Sequence, residues 1–210
     1  MNELRPLVVK IGGGLLRDDG LDGLRRACEE ATALAACRPV LVVPGGGPFA
    51  DAVRAIDAQV GLADSVAHAL ALRAMDQLGV LLRPQLAGAE LLTRLIAPRA
   101  LALLLVAPAF ADRPDVPESW SVTSDSLAVL AAGAIGADEV VLLKPVEGVI
   151  SRWPSDESPL PALTATELRA LQAHGGGRAV DPYLAEAVSR TGVAVVVRAP
   201  GGTGTRITAG

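Results

Sequence analysis

Short apolar runs and longer periodic segments alternate along the first half of the chain. Residues 7–11 and 40–43 are apolar runs, interrupted only by a lysine in the first. Such runs, followed closely by glycines, are typical of strands buried on both faces of a parallel sheet. Residues 21–36, 49–60 and 63–82 have instead the apolar spacing of amphipathic helices. The pattern therefore predicts a repeated unit of strand, glycine loop and helix.

The same alternation continues through the second half. We predict, in order, a strand at 101–106, a helix after residue 126, a strand at 139–143, helices at 164–173 and 182–190, and a strand at 193–197. Three other segments are less regular. Residues 89–96 fit a short strand or a helix, residues 151–161 a loop, and residues 203–207 either the closing edge of the sheet or a segment near a nucleotide.

Two of these helices begin with a capping signal. Thr164 followed by Glu167 three residues later is a capping box. Asp181 before Pro182 predicts the N-cap of the helix at 182–190. Because no linker separates the two halves, we predict a single α/β domain, residues 1–210, with a parallel sheet and with ligands at the carboxyl ends of its strands.

Composition narrows the class of protein further. The chain has 210 residues, 50% of them hydrophobic, which suffices for one sizeable core. The formal net charge is −4 and no basic stripe is visible, so nucleic acid is not an expected partner. We see neither a signal peptide nor a membrane-spanning run. Cys28 and Cys37 indicate thiols of a reducing cytosol, and the two distant histidines argue against a transition-metal site. We expect a cytoplasmic protein.

A lysine and a run of glycines end the first predicted strand. Lys10 is followed by Gly12, Gly13 and Gly14. Burying an unpaired lysine costs several kcal/mol, whereas an ammonium at the carboxyl edge of a sheet can meet a phosphate that glycine N–H groups approach closely. The alternative is a surface lysine before a flexible turn. We disfavour it because Lys10 lies at the end of a predicted strand and glycines follow. The Gly-Lys-Ser/Thr ending of a Walker A loop is absent.

A second glycine loop follows the second strand. Gly45, Gly46 and Gly47 stand between Pro44 and Pro48. Two successive units of strand, glycine loop and helix are typical of sheets that bind ligands at the carboxyl ends of their strands. Neither loop has the spacing of the dinucleotide fingerprint, which argues against a Rossmann dehydrogenase.

Residues 120–126, Trp-Ser-Val-Thr-Ser-Asp-Ser, connect a Pro-rich loop to a helical pattern. Thr123, Ser124 or Asp125 therefore falls near a helix N-cap. A helix N-terminus suits an anion, and Asp125 is also a candidate ligand of Mg²⁺ between nucleotide phosphates. Simple capping explains the motif when it is taken alone, but the two glycine loops favour an active site.

Two side chains are open to two interpretations. His68, in the predicted helix at 63–82, either points at a substrate or is a helix-surface residue. Trp120 is one of few aromatic residues, since these make up 2% of the chain. It either leans over the active site or fills the Pro-rich loop.

The order of the three motifs resembles the amino acid kinase family over nearly the whole chain: Lys-Ile-Gly-Gly-Gly at 10–14, Pro-Gly-Gly-Gly-Pro at 44–48 and Thr-Ser-Asp-Ser at 123–126. The resemblance implies a three-layer α/β/α sandwich with a mainly parallel central sheet. It implies an enzyme that uses ATP and Mg²⁺ on a small-molecule phosphoryl acceptor and that forms homo-oligomers. It also implies that residues from about 1 to 110 bind the acceptor and those from about 111 to 210 bind ATP.

Within that family the chain is most similar to small kinases that phosphorylate [5-(aminomethyl)furan-3-yl]methyl phosphate in methanofuran synthesis. The likeness rests on Ala-His at 67–68, Ala-Met-Asp-Gln-Leu-Gly at 74–79 and the motif at 119–126. A kinase acting on UMP or on an acyl carboxylate is an alternative. Another is an ATP-binding storage or regulatory protein, because the molybdenum storage proteins look similar too.

The resemblance implies a role for each motif residue. Lys10 would neutralise the transferring phosphoryl group, and Asp125 would organise Mg²⁺ or the catalytic lysine. The nucleotide and its phosphates would be bound by Gly12, Gly13, Gly14, Thr123, Ser124, Lys144, Gly148 and Arg178. The acceptor would be bound by Gly45, Gly46, Gly47, His68 and Trp120.

Two departures from the family pattern lie on the nucleotide side. Many relatives have a loop like Thr-Asp-Val-Asp-Gly where this chain has Lys-Pro-Val-Glu-Gly at 144–148. Lys144 adds a positive charge near the phosphates, and Pro145 removes a backbone donor. Several relatives also use a lysine near the third glycine cluster, where the nearest cation here is Arg178, with a different geometry.

Overall fold

The computed structural model describes residues 4–152 and 157–210, which form one sheet covered by helices. Its strands are β1 (Leu7–Ile11), β2 (Val40–Pro44), β3 (Glu90–Leu92), β4 (Leu101–Leu104), β5 (Glu139–Leu143), β6 (Ala162–Thr164), β7 (Ala194–Arg198) and β8 (Thr205–Thr208). Its helices are α1 (Gly14–Ala35), α2 (Gly47–Val60), α3 (Asp64–Leu82), α4 (Val106–Phe110), α5 (Ser124–Ile135), α6 (Ala165–Ala173) and α7 (Leu184–Thr191).

The strands stand in the order β3-β4-β2-β1-β5-β7-β8-β6. β1 lies in the middle and pairs in parallel with β2 and β5. Only β7 and β8 pair antiparallel among the described strands. Because β1, β2, β5 and β7 run in the same direction, their carboxyl ends meet at one edge of the sheet. Lys10 of β1 stands there in register with Val43 and Leu142.

Two apolar cores cover the two faces of the sheet. Alternate residues of β1 enter different cores, since Val8 packs in one and Val9 in the other. α1 covers the face of Val9, and α5, α6 and α7 cover the face of Val8. This arrangement confirms the predicted three-layer α/β/α sandwich with a mainly parallel sheet.

Several predicted boundaries differ from the structure. The first helix begins at Gly14, not at residue 21, and bends at Gly20, whose φ is +62° and ψ −147°. The strand predicted at 101–106 ends at Leu104, because α4 begins at Val106. Asp76 of α3 explains this break, since its Oδ1 accepts the N–H of Val106 at 2.5 Å and that of Ala107 at 3.3 Å.

The last helix begins later than predicted and without the predicted cap. α7 begins at Leu184 with Tyr183 at the N-cap position and no side-chain cap. Asp181 does not cap this helix, because its carboxylate is engaged at the start of α5 instead. The capping box of Thr164 and Glu167 is confirmed at the start of α6.

The carboxyl-terminal segment completes the sheet. β8 lies between β7 and β6, so residues 203–207 contribute a strand of the sheet as one interpretation predicted, but the strand lies inside the sheet and β6 forms the edge. The predicted loop at 151–161 lies partly outside the described residues. In the part of the chain that the structure describes, no helix is long and apolar enough to cross a membrane.

Candidate active site

Three charged side chains meet at the carboxyl edge of the sheet. Lys10 belongs to β1, Lys144 directly follows β5, and Asp125 lies in the first turn of α5. Lys10 Nζ is 2.9 Å from Asp125 Oδ1, and Lys144 Nζ is 2.5 Å from Asp125 Oδ2. Lys144 Nζ also donates to the carbonyl oxygen of Ala179 at 2.5 Å. The structure thus brings together Lys10, Asp125 and Lys144, which the sequence predicted separately.

The two lysines keep Asp125 ionised although it is buried. Burial alone would raise the pKa of Asp125, but the charges of Lys10 and Lys144 lower it to about 2. Burial and the neighbouring Lys144 lower the pKa of Lys10, whereas Asp125 opposes that shift. Two ammonium groups on one carboxylate carry a net positive charge, which suits a phosphoryl group that gains negative charge during transfer.

Asp181 holds the first turn of α5 from a distant part of the chain. Thr123 occupies the N-cap position of α5 but makes no side-chain cap. Asp181 Oδ2 accepts the N–H groups of Thr123 at 2.9 Å and of Ser126 at 3.0 Å, and the hydroxyl of Thr123 at 2.9 Å. Asp181 Oδ1 accepts the Ser126 hydroxyl. Burial and the charge of Asp125 raise the pKa of Asp181, and these donors counteract the shift.

The two predicted glycine loops touch each other. A Cβ built on Gly13 would lie 2.1 Å from the Cα of Gly47 and 2.2 Å from its nitrogen. A Cβ built on Gly45 would lie 2.8 Å from the nitrogen of Gly13. Gly47 has a φ of +53°, which side-chain-bearing residues rarely adopt. Glycine is therefore required at this contact both for space and for backbone conformation.

The glycines divide into two groups by what their N–H groups do. Gly12 donates to the carbonyl of Leu143 at 2.8 Å, and Gly45 donates to that of Ile11 at 2.9 Å. Both are therefore occupied within the sheet. The next residues begin α1 and α2, and the first N–H groups of a helix have no acceptor within it. The donors available to a ligand belong to Gly13, Gly14, Gly46 and Gly47.

These four glycines line a cleft between α1, α2, α3 and the start of α5. Its apolar wall includes Leu72, Met75, Val122 and Leu127. Thr123 and Ser124 line the same cleft, although they were predicted on the nucleotide side. Its charged side chains, among the described residues, are Arg17, Asp51 and Arg54.

Trp120 forms part of the wall of this cleft and is fixed to α2. Its indole Nε1 donates to Asp57 Oδ2 at 2.7 Å, and the guanidinium carbon of Arg54 lies 4.8 Å from the ring centroid. Asp57 Oδ1 also accepts the N–H of Leu62 at 2.9 Å, so the carboxylate is itself held in place. Of the two interpretations of Trp120, the geometry agrees with a position over the cleft.

His68 lies away from the glycines. It lines a neighbouring groove between α3 and the Pro-rich loop, together with Glu118. Burial lowers the pKa of His68, and the charge of Glu118 opposes this. The structure therefore does not bring His68 to the cleft that holds Trp120 and the glycine N–H groups, and its role in binding an acceptor stays a prediction.

Two other residues predicted on the nucleotide side have local contacts of their own. Arg178 is exposed, and its Nε donates to the carbonyl of Gly175 at 3.0 Å. Gly148 is buried with a φ of +153°, and a Cβ there would lie 2.6 Å from Thr205 Oγ1. Lys144, not Arg178, is thus the second cation at Asp125. The close packing of Gly148 against Thr205 requires a glycine there whether or not a nucleotide binds.

Asp125 does not fit the predicted role of an Mg²⁺ ligand. Each of its oxygens faces an ammonium within 2.9 Å, although Oδ1 receives no aligned hydrogen bond from the described residues. A divalent cation placed there would be repelled by Lys10 and Lys144. The neighbouring carboxylate of Asp181 is occupied by four donors. Of the two predicted roles of Asp125, the geometry agrees with organising the lysines.

The sequence reasoning missed several residues of this site. Asp181 was interpreted as a local cap, and no local signal indicated its contact with α5. Arg17 and Asp51 each follow a glycine loop by one helical turn, and that spacing was the available signal. Arg54 lies one further turn along α2.

Comparisons with known proteins identify the family of the chain. The amino acid kinase family model matches residues 5–199. The chain is 28% identical to [5-(aminomethyl)furan-3-yl]methyl phosphate kinase of Methanocaldococcus jannaschii, covering 78% of this chain and 76% of that protein. It is 37% identical to acetylglutamate kinase of Arthrobacter sp., over 37% of this chain and 25% of that protein.

Solved structures show the same fold at lower identity. Uridylate kinase from Archaeoglobus fulgidus has a TM-score of 0.72 at 18% identity, covering 98% of this chain and 100% of that one. Aspartate kinase from Synechocystis has a TM-score of 0.76 at 18% identity, covering 98% of this chain and 40% of that one.

Proposed function

The chain belongs to the amino acid kinase family and is a phosphotransferase, and on this premise we propose that it transfers the γ-phosphoryl group of ATP to [5-(aminomethyl)furan-3-yl]methyl phosphate. The family implies ATP as the donor. The likeness to the Methanocaldococcus jannaschii kinase of that name supports this acceptor. The observation that carries the proposal is the contact of Lys10 and Lys144 with opposite oxygens of buried Asp125, next to a glycine-lined cleft.

The lysines would act by neutralising charge. An oxygen of the acceptor phosphate forms a bond to the γ-phosphorus, and the bond from that phosphorus to the β,γ-bridging oxygen breaks, so that ADP leaves. Lys10 and Lys144 would face the oxygens of the transferring group, while Asp125 fixes the position of both ammonium groups. Removing one such charge typically lowers turnover about 10²- to 10³-fold.

The acceptor would need no general base. A phosphate monoester has a second pKa of about 6 and is therefore largely a dianion at neutral pH. Its oxygens are already nucleophilic, so the enzyme has to position them. The N–H groups of Gly13, Gly14, Gly46 and Gly47 would do this at the paired helix N-termini. Trp120 would pack against the furan ring.

The two halves of the chain would divide the substrates. The glycine-lined cleft is built mainly from α1, α2 and α3, which supports acceptor binding by the amino-terminal half. ATP would then approach from the carboxyl-terminal half, along the side of Lys144 and Ala179. Cytoplasmic location and a homo-oligomeric state stay predictions, as does a requirement for Mg²⁺, which would be carried by the phosphates of ATP.

ADP release tests the proposal. The purified chain is given ATP with excess Mg²⁺ and, separately, the aminomethylfuran phosphate, UMP or N-acetylglutamate. Release with the furan phosphate alone, with the diphosphate identified by mass spectrometry, supports the proposed acceptor. Release with UMP or N-acetylglutamate instead assigns another kinase activity. ATP binding without release on any acceptor contradicts the kinase proposal and favours a storage or regulatory role.

Lys10→Ala provides the control for the chemistry. The variant should lose turnover by orders of magnitude on whichever acceptor is used, because the ammonium is 2.9 Å from Asp125 at the reacting edge of the sheet. Full activity in a folded Lys10→Ala variant would overturn the assignment of this site.

A further inference from the structure

The cleft has two ends of different charge character. Its inner end presents the N–H groups of the glycine loops close to Lys10, which attracts an anion. One helical turn outward, α1 contributes Arg17, and α2 contributes Asp51 and Arg54. Asp51 is the one acidic side chain that lines the cleft among the described residues.

Asp51 is held in place by both arginines. Its Oδ1 accepts a hydrogen bond from Arg54 Nη1 at 3.0 Å, and its Oδ2 is paired with Arg17 Nη2. The guanidinium of Arg54 is fixed in turn against the ring of Trp120. The side chain of Asp51 is nevertheless 43% exposed. Two carboxylate oxygens have about four acceptor sites, so two arginines leave room for a further donor.

The acceptor of the proposed reaction has matching ends. Its phosphate is the reacting group and belongs at the glycine loops. Its other substituent is a primary amine on a methylene carbon, which is protonated at neutral pH as the amine of lysine is. We propose that Asp51 binds this ammonium group and is the residue by which the enzyme selects amine-bearing acceptors. The inference rests on the proposed function.

Asp51 and its two arginines carry a net positive charge, as Asp125 and its two lysines do, but the side chain of Asp51 is 43% exposed whereas that of Asp125 is 3% exposed, so water screens the repulsion of an ammonium here. Arg17 and Arg54 each donate to Asp51, so a second anion would compete with a carboxylate that already contacts both guanidinium groups. An ammonium instead adds a donor to the carboxylate without breaking either pair. The position of Asp51 one turn after Gly47 fits a short acceptor that spans the two ends.

The experiment compares two acceptors in the full-length enzyme. One is the aminomethylfuran phosphate, and the other carries a hydroxymethyl group in place of the aminomethyl group. The wild-type enzyme should have a higher kcat/KM for the amine. Asp51→Asn should lower kcat/KM for the amine about 10- to 100-fold, mainly through KM, because a charge-assisted hydrogen bond is lost. It should leave the hydroxymethyl acceptor nearly unchanged.

Three controls separate binding from structural damage. Asp51→Glu keeps the charge and should retain the preference for the amine. Arg17→Gln removes one partner of Asp51 but leaves its charge, so the preference should also persist. Asp22→Asn changes an equivalent exposed carboxylate paired with Arg25, outside the cleft, and should change neither acceptor.

The outcomes distinguish the two proposals. A wild-type enzyme that phosphorylates neither furan compound contradicts the proposed function itself. A wild-type preference for the amine that survives unchanged in a folded Asp51→Asn variant overturns only the role of Asp51. Equal losses on both acceptors also overturn it, because they would indicate a disturbed cleft and not a lost contact with the ammonium.

Discussion

The backbone N–H of Asp181 donates to Oδ2 of Asp125 at 3.3 Å, across 56 positions of sequence. The side chain of Asp181 simultaneously receives four hydrogen bonds from Thr123 and Ser126, on either side of Asp125. Asp181 therefore fixes both the helix turn that carries Asp125 and one oxygen of its carboxylate. It is a positioning residue for the two lysines.

We expect Asp181→Asn to lower kcat more than it changes the KM of either substrate. The amide can accept fewer hydrogen bonds than the carboxylate, so α5 and Asp125 lose their fixed position. Unfolding free energy should fall by about 1–3 kcal/mol, since buried donors lose acceptors. Steady-state kinetics and urea denaturation measure both effects. Asp138→Asn, which removes an exposed partner of Arg38, is the control and should change neither by much. Unchanged kcat in Asp181→Asn would contradict the positioning role.

Lys144 and Arg178 should differ sharply in their contribution to turnover. Lys144→Ala removes an ammonium 2.5 Å from Asp125 and should lower kcat about 10²- to 10³-fold. Arg178→Ala removes an exposed guanidinium bonded to a loop carbonyl and should lower kcat less than about 10-fold. Initial-rate assays at saturating ATP compare them. A larger loss of kcat in Arg178→Ala than in Lys144→Ala would instead assign the role of second cation to Arg178.

Gly13→Ala should be far more damaging than Gly61→Ala. Gly13 has an ordinary helical φ of −66°, so its backbone conformation does not require glycine. Glycine is required there only because a side chain would clash with Gly47. A methyl group there forces the two loops apart and should abolish turnover. Gly61 has a φ of +66° but open space around it, so alanine should cost about 1 kcal/mol. Thermal denaturation and activity of both variants provide the comparison; an active Gly13→Ala enzyme would refute the contact.

Lowering the pH should remove the contribution that ionised Asp125 makes to the free energy of unfolding. The pKa of Asp125 is lowered to about 2 in the folded protein, against about 3.9 in an unfolded chain. Its contribution to the free energy of unfolding is therefore complete above about pH 4 and is lost as the pH falls towards 2. Urea denaturation between pH 2 and 5 should show a shallower decline for Asp125→Asn than for the wild type. Parallel curves would mean that folding does not lower the pKa of Asp125.

The regular elements were predictable because their signals are local. The apolar runs of β1, β2, β5 and β7 and the capping box at Thr164 depend on neighbouring residues, and the structure confirms them. The bend of α1 at Gly20 was missed because an isolated glycine within a periodic pattern does not reveal a positive φ. β6 was missed because it has only three residues and pairs with a distant strand.

The contacts of the site were less predictable because they join distant segments. Asp-Pro at 181–182 has the local chemistry of a helix start, yet the carboxylate stabilises α5, which ends 46 positions earlier at Ile135. Lys144 was predicted near the phosphates, but its contact with Asp125 depends on the pairing of β1 with β5. Sequence reasoning identified the residue types, and only the topology showed which of them share a partner.

The direct contact between Gly13 and Gly47 also limits how this enzyme can be redesigned. Neither loop can change its shape alone, since each occupies the space a side chain of the other would need. Libraries that randomise the phosphate-binding loops should therefore return mostly inactive clones. Diversity placed one helical turn outward, at Arg17, Asp51 and Arg54, would alter acceptor choice while leaving the loop contact intact.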